Sequence, residues 1–114
     1  MSRDAIVAGT GFANSNGASR AAIVRRHCRP GISVLLVREP NNPYDKDAIA
    51  VLVPVPRLFG LLGSSNAQIG YIKAGAADNL AKKLDSGVRI VATVKSMYAP
   101  EGREHPRVTL HLEY

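Results

Sequence analysis

The sequence of 114 residues has one cysteine, no tryptophan and few aromatic residues of any kind, 5% in all. Because a single cysteine cannot form an internal disulfide, the chain is not one of the disulfide-stabilised scaffolds typical of small secreted domains. No apolar run approaches the length of a membrane span, and residues 1–4 lack the basic and then apolar pattern of a signal peptide. We therefore expect a cytoplasmic (intracellular) protein with no membrane partner.

The sequence also lacks the motifs of several common enzyme classes. It has no G-x-x-x-x-G-K-[ST] motif of a P-loop ATPase, and Gly9-Thr10-Gly11 lacks the third glycine of a dinucleotide fingerprint. A zinc site needs clustered ligands, but His27 and Cys28 point apart on a predicted helix and the other histidines are distant. Cys28 falls on the apolar face of that helix, which favours a packed thiol over a nucleophile. We predict a protein that is not an enzyme and that has no cofactor and no metal.

What the chain does have is positive charge and enough apolar residues for one core. It carries 15 lysines and arginines against 9 acidic residues, which gives a net charge of +6 and a pI near 9.9. A small basic domain often binds a polyanion, although a positive charge that only keeps the protein soluble is the alternative. With 46% apolar residues, residues 1–114 can form a single domain without disulfides or a structural metal.

The pattern of apolar residues predicts six short strands and two short helices. The strands are expected at residues 5–8, 32–37, 48–53, 68–72, 88–98 and 107–114, and the prolines of Pro54-Val55-Pro56 are expected to end the third. The helices are expected at 19–28, with Ser19 as N-cap, and at 74–84, with Gly87 after its end. Without a βαβ rhythm, the natural architecture is a mainly β, mostly antiparallel barrel whose helices plug its ends.

One loop contains more polar chemistry than a turn requires, namely R-E-P-N-N-P-Y-D-K-D-A-I-A-V from Arg38 to Val51. Prolines stiffen a turn, and amide and carboxylate side chains cap its backbone, which accounts for Pro40, Pro43, Asn41, Asn42 and Asp45. Tyr44 is left unexplained, and a tyrosine on a rigid loop is a good stacking platform for a nucleic-acid base. A carboxylate such as Asp45 repels phosphate but accepts a hydrogen bond from a sugar hydroxyl. Together these residues indicate the free end of a strand.

Two alternatives to a strand-end site stay open at this point. Asp45 and Asp47 could hold Mg²⁺ in a metal-dependent nuclease, although no third acidic residue follows nearby. The apolar residues from Leu58 to Leu62 lie in a predicted hairpin tip or insertion and could bind a protein partner or a second copy. In that second alternative the loop at 38–51 is only a turn and the chain is a protein-interaction module.

Three segments of the sequence resemble the HIRAN family. They are R-E-P-N-N-P-Y-D-K-D-A-I-A-V, then I-G-Y-I-K, then L-A-K-K-L-D-S-G, and the resemblance extends from Ala5 to Leu112. The family is known from the N-terminal domains of replication-fork remodelling ATPases and from small stand-alone bacterial proteins. The resemblance implies an OB-like six-stranded antiparallel barrel with two short α-helices. It also implies recognition of single-stranded DNA at a free 3′-hydroxyl end, in DNA repair or replication-fork processing.

The resemblance assigns roles to the loop residues and to one further aromatic. Tyr44 matches the tyrosine that stacks on the terminal base, and Phe12 falls where vertebrate members have a second stacking aromatic. Asp45 matches the carboxylate that binds the 3′-hydroxyl. Asn41 and Asn42 match the loop asparagines around the terminal nucleotide. The expected partners are therefore single-stranded DNA or DNA 3′ ends, and a helicase, ATPase or nuclease acting in trans is a candidate protein partner.

The phosphate contacts follow the family pattern less closely. Tyr71 stands where the family has a histidine, and Lys73 lies beside the position of a phosphate-binding lysine, which Ala74 occupies here. Gly11 stands where the vertebrate domain has a phosphate-contacting arginine. The first predicted helix carries further candidate phosphate contacts, which the family does not fix, in Arg25, Arg26 and Arg29.

Overall fold

A computed structural model describes residues 1–56, 63–102 and 105–114. Within these ranges the chain forms six strands and two helices. In chain order they are β1 (Ser2–Ala8), α1 (Arg20–His27), β2 (Ser33–Arg38), β3 (Ile49–Pro56), β4 (Ser64–Ile72), α2 (Ala74–Asp85), β5 (Val91–Tyr98) and β6 (Arg107–Glu113).

The six strands close into a barrel in the order β1-β4-β3-β2-β5-β6, with every neighbouring pair antiparallel. The prediction of a mainly β, six-stranded antiparallel barrel with two short helices is confirmed. Closure places one face of each strand inside. On β6, for example, Val108, Leu110 and Leu112 are fully buried and alternate with more exposed residues.

Helix α1 covers the barrel with the apolar face that the sequence predicts. Ser19 is its N-cap, because its Oγ accepts the backbone N–H of Ala22 at 3.2 Å. Ala21, Val24 and Cys28 are buried on one side. Burial raises the pKa of the Cys28 thiol to about 11, so the thiol stays protonated at neutral pH. The prediction of a packed thiol is confirmed.

Strand β3 does not end at its prolines, which corrects the sequence-based prediction. It continues to Pro56, with Pro54 opposite Asn66 on β4. The reason is that β2 pairs with β3 only as far as Leu52. Beyond that residue the second edge of β3 has no partner strand among the described residues, so the missing proline N–H groups interrupt no ladder there.

Strand β5 begins at Val91, three residues later than predicted. The residues before it complete the end of α2 instead. Gly87 has a φ of +85°, which is the left-handed conformation of a helix C′ residue. The backbone N–H of Val88 then donates to the carbonyl of Lys83 at 3.0 Å. Because Val88 is bonded to the helix, it cannot enter the sheet.

One predicted feature cannot be compared with the structure. The apolar stretch from Leu58 to Leu62 falls within residues 57–62, outside the described residues. In the described part of the chain, no helix is long and apolar enough to span a bilayer.

Candidate functional site

The loop between β2 and β3 is held together by its own side chains. The Oδ1 of Asn42 accepts the backbone N–H groups of Tyr44 at 2.9 Å and of Asp45 at 3.2 Å. Its Nδ2 donates to Oε1 of Glu39 at 3.1 Å. The Oδ1 of Asp45 accepts the N–H of Asp47 at 2.8 Å. The predicted capping by Asn42 and Asp45 is confirmed, and it makes a fixed platform of the loop.

Tyr44 projects from this platform with 97% of its surface exposed. A large aromatic residue so exposed gains nothing from the core, so its ring is available to a ligand. The neighbouring Asp45 is half-buried, and no hydrogen bond to its Oδ2 is seen among the described residues. That oxygen can therefore accept a hydrogen bond from outside. Asn41 is exposed and, unlike Asn42, bonds to no other part of the described loop.

The base of the loop is clamped to the end of α2 by Arg38. Its Nε and Nη2 donate to the two carboxylate oxygens of Asp85 at 2.9 and 3.1 Å, and its Nη1 donates to the carbonyl of Ala48 at 2.8 Å. The Arg38 guanidinium holds the pKa of Asp85 below its usual range. The Arg38 side chain, at the start of the loop, thereby holds Ala48 at the end of the loop and Asp85 at the end of α2.

Tyr71 links the loop to the wall of the barrel. It lies on β4 opposite Ala8 of β1 and Ala50 of β3, so it stands where three strands meet. Its hydroxyl donates to Oε1 of Glu39 at 2.9 Å. One face of its ring is covered by the guanidinium of Arg20, 5.5 Å from the ring centroid. The ring is half-buried and serves here as a connector between the loop and helix α1.

Arg20, the first residue of α1, ties down the segment that carries Phe12. Its backbone N–H donates to the Phe12 carbonyl at 3.2 Å, and its side chain donates to the carbonyl of Gly9 and to Oδ1 of Asn14. Asn14 in turn donates to the Gln68 carbonyl on β4 at 2.9 Å. Phe12 itself is 65% exposed, so the segment is fixed while the ring is open to solvent.

The same segment is anchored from below by a buried threonine. Thr10 is only 3% exposed, and its Oγ1 donates to the carbonyl of Pro106 at 2.6 Å. The segment from Gly9 to Asn14 is thus fixed at both ends, to the start of β6 and to β4. Its backbone is also bonded internally, since the N–H of Phe12 donates to the Gly9 carbonyl at 3.2 Å.

The glycine of the I-G-Y-I motif is required by a close approach of β1. The register of β3 against β4 shifts between Val51 and Leu52, which makes a bulge just before Gly70. A Cβ on Gly70 would lie 2.3 Å from the carbonyl oxygen of Ala8. The absence of a side chain at Gly70 therefore lets β4 reach β1 and sets Tyr71 at the junction.

The structure places the remaining predicted site residues as follows. Lys73 is exposed, directly before α2, and its backbone N–H donates to the Ile6 carbonyl at 2.9 Å. Gly11 and Ala74 are exposed. Of the candidate phosphate contacts on α1 and after it, Arg29 donates through Nη1 to the backbone carbonyls of Arg25 and Cys28.

Contacts that sequence reasoning missed connect the Tyr44 loop to the Phe12 segment. Among the described residues the connection runs from Asn42 through Glu39, Tyr71 and Arg20 to the backbone of Phe12. Of these residues, Glu39 and Arg20 had no assigned role. Glu39 lies inside the loop motif and could have been suspected there. Nothing in the spacing of Arg20 indicates its contact with Tyr71, because that contact depends on how distant strands pair.

A closed antiparallel barrel with exposed aromatics on two linked loops defines a small OB-like binding module. The chain belongs to the HIRAN domain family, which matches residues 5–113. The family is known as a DNA-binding module. The resemblance noted in the sequence is thereby confirmed.

Solved structures agree with this assignment. The crystal structure of the HIRAN domain of human HLTF has 25% sequence identity and a TM-score of 0.64, over 97% of this chain and 72% of that chain. The crystal structure of a protein from Lactobacillus plantarum has 26% identity and a TM-score of 0.63, over 97% of this chain and 92% of that one. No curated protein matches the chain.

Proposed function

We propose that this protein is a non-enzymatic module that binds single-stranded DNA at a free 3′-hydroxyl end. The observation that carries the proposal is Tyr44, 97% exposed on a loop that Asn42 holds rigid, with the carboxylate of Asp45 beside it. A rigid exposed ring suits the face of a base, because stacking contributes about 1–3 kcal/mol per base. Little conformational entropy is lost on binding when the loop is already ordered.

In this proposal each residue of the site contacts one part of the terminal nucleotide. The last base stacks between Tyr44 and Phe12. Oδ2 of Asp45 accepts the hydrogen bond of the 3′-hydroxyl, and Asn41 contacts the base or sugar from the exposed side of the loop. Lys73 attracts phosphates, as do the basic residues of α1. The module itself catalyses no reaction, and a helicase, ATPase or nuclease acting in trans processes the bound DNA during DNA repair or replication.

The carboxylate of Asp45 should let the protein distinguish a 3′-hydroxyl end from a 3′-phosphate end. A phosphate on the 3′-oxygen would replace a hydrogen-bond donor by negative charge next to a carboxylate. Two unit charges 4 Å apart repel by about 1 kcal/mol in water and about 4 kcal/mol at an effective dielectric constant of about 20. Since Asp45 is half-buried, the penalty falls between these limits. We expect a 3′-phosphorylated strand to bind about tenfold more weakly, or worse.

The experiment is a fluorescence anisotropy titration with two strands of identical sequence, labelled at the 5′ end, one ending in a 3′-hydroxyl and one in a 3′-phosphate. Asp45→Asn is the matched variant, because an amide still accepts from a hydroxyl but no longer repels phosphate. The preference should be large in the wild type and small in Asp45→Asn. Equal affinity of the wild-type protein for the two strands would overturn end recognition.

A further inference from the structure

Arg20 lies at the centre of the candidate site, beside both of its linked segments. Its guanidinium covers the ring of Tyr71 at 5.5 Å. The position of a Cβ built on Gly9 is 3.2 Å from Nη1 of Arg20 and 3.7 Å from Cδ2 of Phe12. The guanidinium of Arg20 and the exposed ring of Phe12 therefore both lie close to Gly9.

The hydrogen bonds of Arg20 fix its orientation without neutralising its charge. Nε donates to Oδ1 of Asn14 at 2.8 Å and Nη1 donates to the Gly9 carbonyl at 3.2 Å. Both acceptors are uncharged, and among the described residues no carboxylate forms an ion pair with Arg20 and no acceptor is seen for Nη2. The side chain is half-buried. A pre-oriented, partly desolvated guanidinium with a spare edge suits a phosphate well.

Two other cations are already paired with carboxylates. Arg38 is paired with Asp85, and Lys95 is paired with Asp4. Lys73 is exposed, and no contact with another described residue fixes the orientation of its flexible side chain. Arg20, by contrast, is oriented by hydrogen bonds within the site and is not paired with a carboxylate among the described residues.

We propose that Arg20 holds the backbone phosphate of the nucleotide whose base lies against Phe12. Nη2 bonds the phosphate while Nε and Nη1 keep the Phe12 segment in place. This inference rests on the proposed function, because it concerns the same bound strand. It adds a specific phosphate contact made by a residue that no sequence motif indicates.

The test compares Arg20→Gln with Arg89→Gln in binding a 5′-labelled single strand across a salt series. The glutamine amide retains a donor for the Asn14 or Gly9 oxygen, and Arg89 is an exposed arginine between α2 and β5. Loss of a charge-assisted bond should weaken binding by about tenfold for Arg20→Gln. Loss of one phosphate contact should reduce the slope of log K against log salt by about 0.7. Arg89→Gln should stay within about twofold of the wild type.

A second series alters the DNA strand and measures its binding to the wild-type protein and to an Arg20 variant. One linkage of the strand is replaced by a neutral methylphosphonate, moved stepwise from the 3′ end. A methylphosphonate at one particular linkage should weaken binding to the wild-type protein by about tenfold. The same replacement should not weaken binding to Arg20→Gln any further. If Arg20→Gln does not fold, the replacement should have a smaller effect on Arg20→Lys than on the wild type. If the effect of the methylphosphonate is the same in the wild type and the Arg20 variant at every linkage, the phosphate contact of Arg20 is overturned. An unchanged salt slope in Arg20→Gln would overturn it too. Either result would leave the proposed function standing. A wild-type protein that binds no oligonucleotide would overturn the proposed function as well.

Discussion

At the scale of single residues, the structure separates side chains that the sequence motif presents together. Asn41 and Asn42 are neighbours in the N-N-P-Y-D motif, but Asn42 forms the loop's internal hydrogen bonds and Asn41 is exposed. Tyr71 is bonded through its hydroxyl and covered by Arg20 on one face, whereas Tyr44 is almost fully open. Motif membership therefore does not distinguish a residue that builds the platform from one that is displayed on it.

Gly70 shows the same distinction for a motif residue without a side chain. We expect Gly70→Ala to destabilise the protein by about 1–3 kcal/mol or more, because the new Cβ would lie 2.3 Å from the Ala8 carbonyl oxygen. Gly75→Ala is the control. Nothing lies within 4 Å of a Cβ there, and alanine is a better helix former, so stability should rise by about 0.5–1 kcal/mol. Urea denaturation measures both, and an equal response of the two variants would contradict this account.

The local part of the site was predictable from the sequence, and the long-range part was not. Side chains such as Asn42 cap backbone groups two or three residues away, so composition alone indicates the turn. The contact between Arg20 and Tyr71 joins residues that are far apart in the sequence, and it exists only because β4 lies beside β1 and α1. No periodicity in one segment carries that information.

At the scale of elements, alternation and helical periodicity predicted the barrel well where one face of an element is buried. The alternation on β6 and the apolar face of α1 both confirm this. The predicted ends of strands were wrong where a neighbouring strand or helix determines where the strand ends or begins. Pro54 is tolerated because β2 has already ended its pairing with β3, and Val88 is withdrawn from β5 by its bond to Lys83. Neither circumstance is visible within the segment concerned.

The clamp between α2 and the loop predicts a pH-dependent stability. The pKa of Asp85 is lowered by Arg38 in the folded protein, so its ionised form is favoured by folding. The stabilisation is therefore fully present above the unfolded pKa of about 3.9 and is lost as the pH falls through the lower folded pKa. Asp85→Asn should lower the thermal midpoint at pH 7 and leave it nearly unchanged near pH 2.

Asp78→Asn is the matched control for this experiment. Asp78 is an exposed aspartate on the same helix, and the described part of the chain shows no ion pair for it. Its replacement should have little effect at either pH. A loss of stability in Asp85→Asn that is as large in acid as at pH 7 would mean that the clamp does not act through the ionised carboxylate.

At the scale of the whole molecule, the net charge of the chain and the charge of the Tyr44 loop have opposite signs. The chain carries a net charge of +6, which attracts any polyanion and brings DNA to the surface. The loop that displays Tyr44 has a slight net negative charge, since Glu39, Asp45 and Asp47 outnumber Arg38 and Lys46. An acidic loop on a basic protein disfavours phosphate at one place while the rest of the surface attracts it. This division of charge suits the end of a strand, where the backbone phosphates stop.

The opposite charges of the whole chain and of the Tyr44 loop predict a difference in affinity between linear and circular single-stranded DNA. A closed single-stranded circle offers the same bases and phosphates as its linear form but no 3′-hydroxyl, so it can use the attraction and not the end site. Affinity for both forms should fall as salt rises, because each bound phosphate releases counterions. At every salt concentration the linear form should bind about tenfold more tightly, because its 3′-hydroxyl adds a hydrogen bond to a charged group that releases no counterions. A circle cut to leave a 3′-phosphate is the control and should behave like the intact circle. If the circle binds as tightly as the strand with a free 3′-hydroxyl at every salt concentration, the net charge alone accounts for DNA binding and the acidic loop has no part in it.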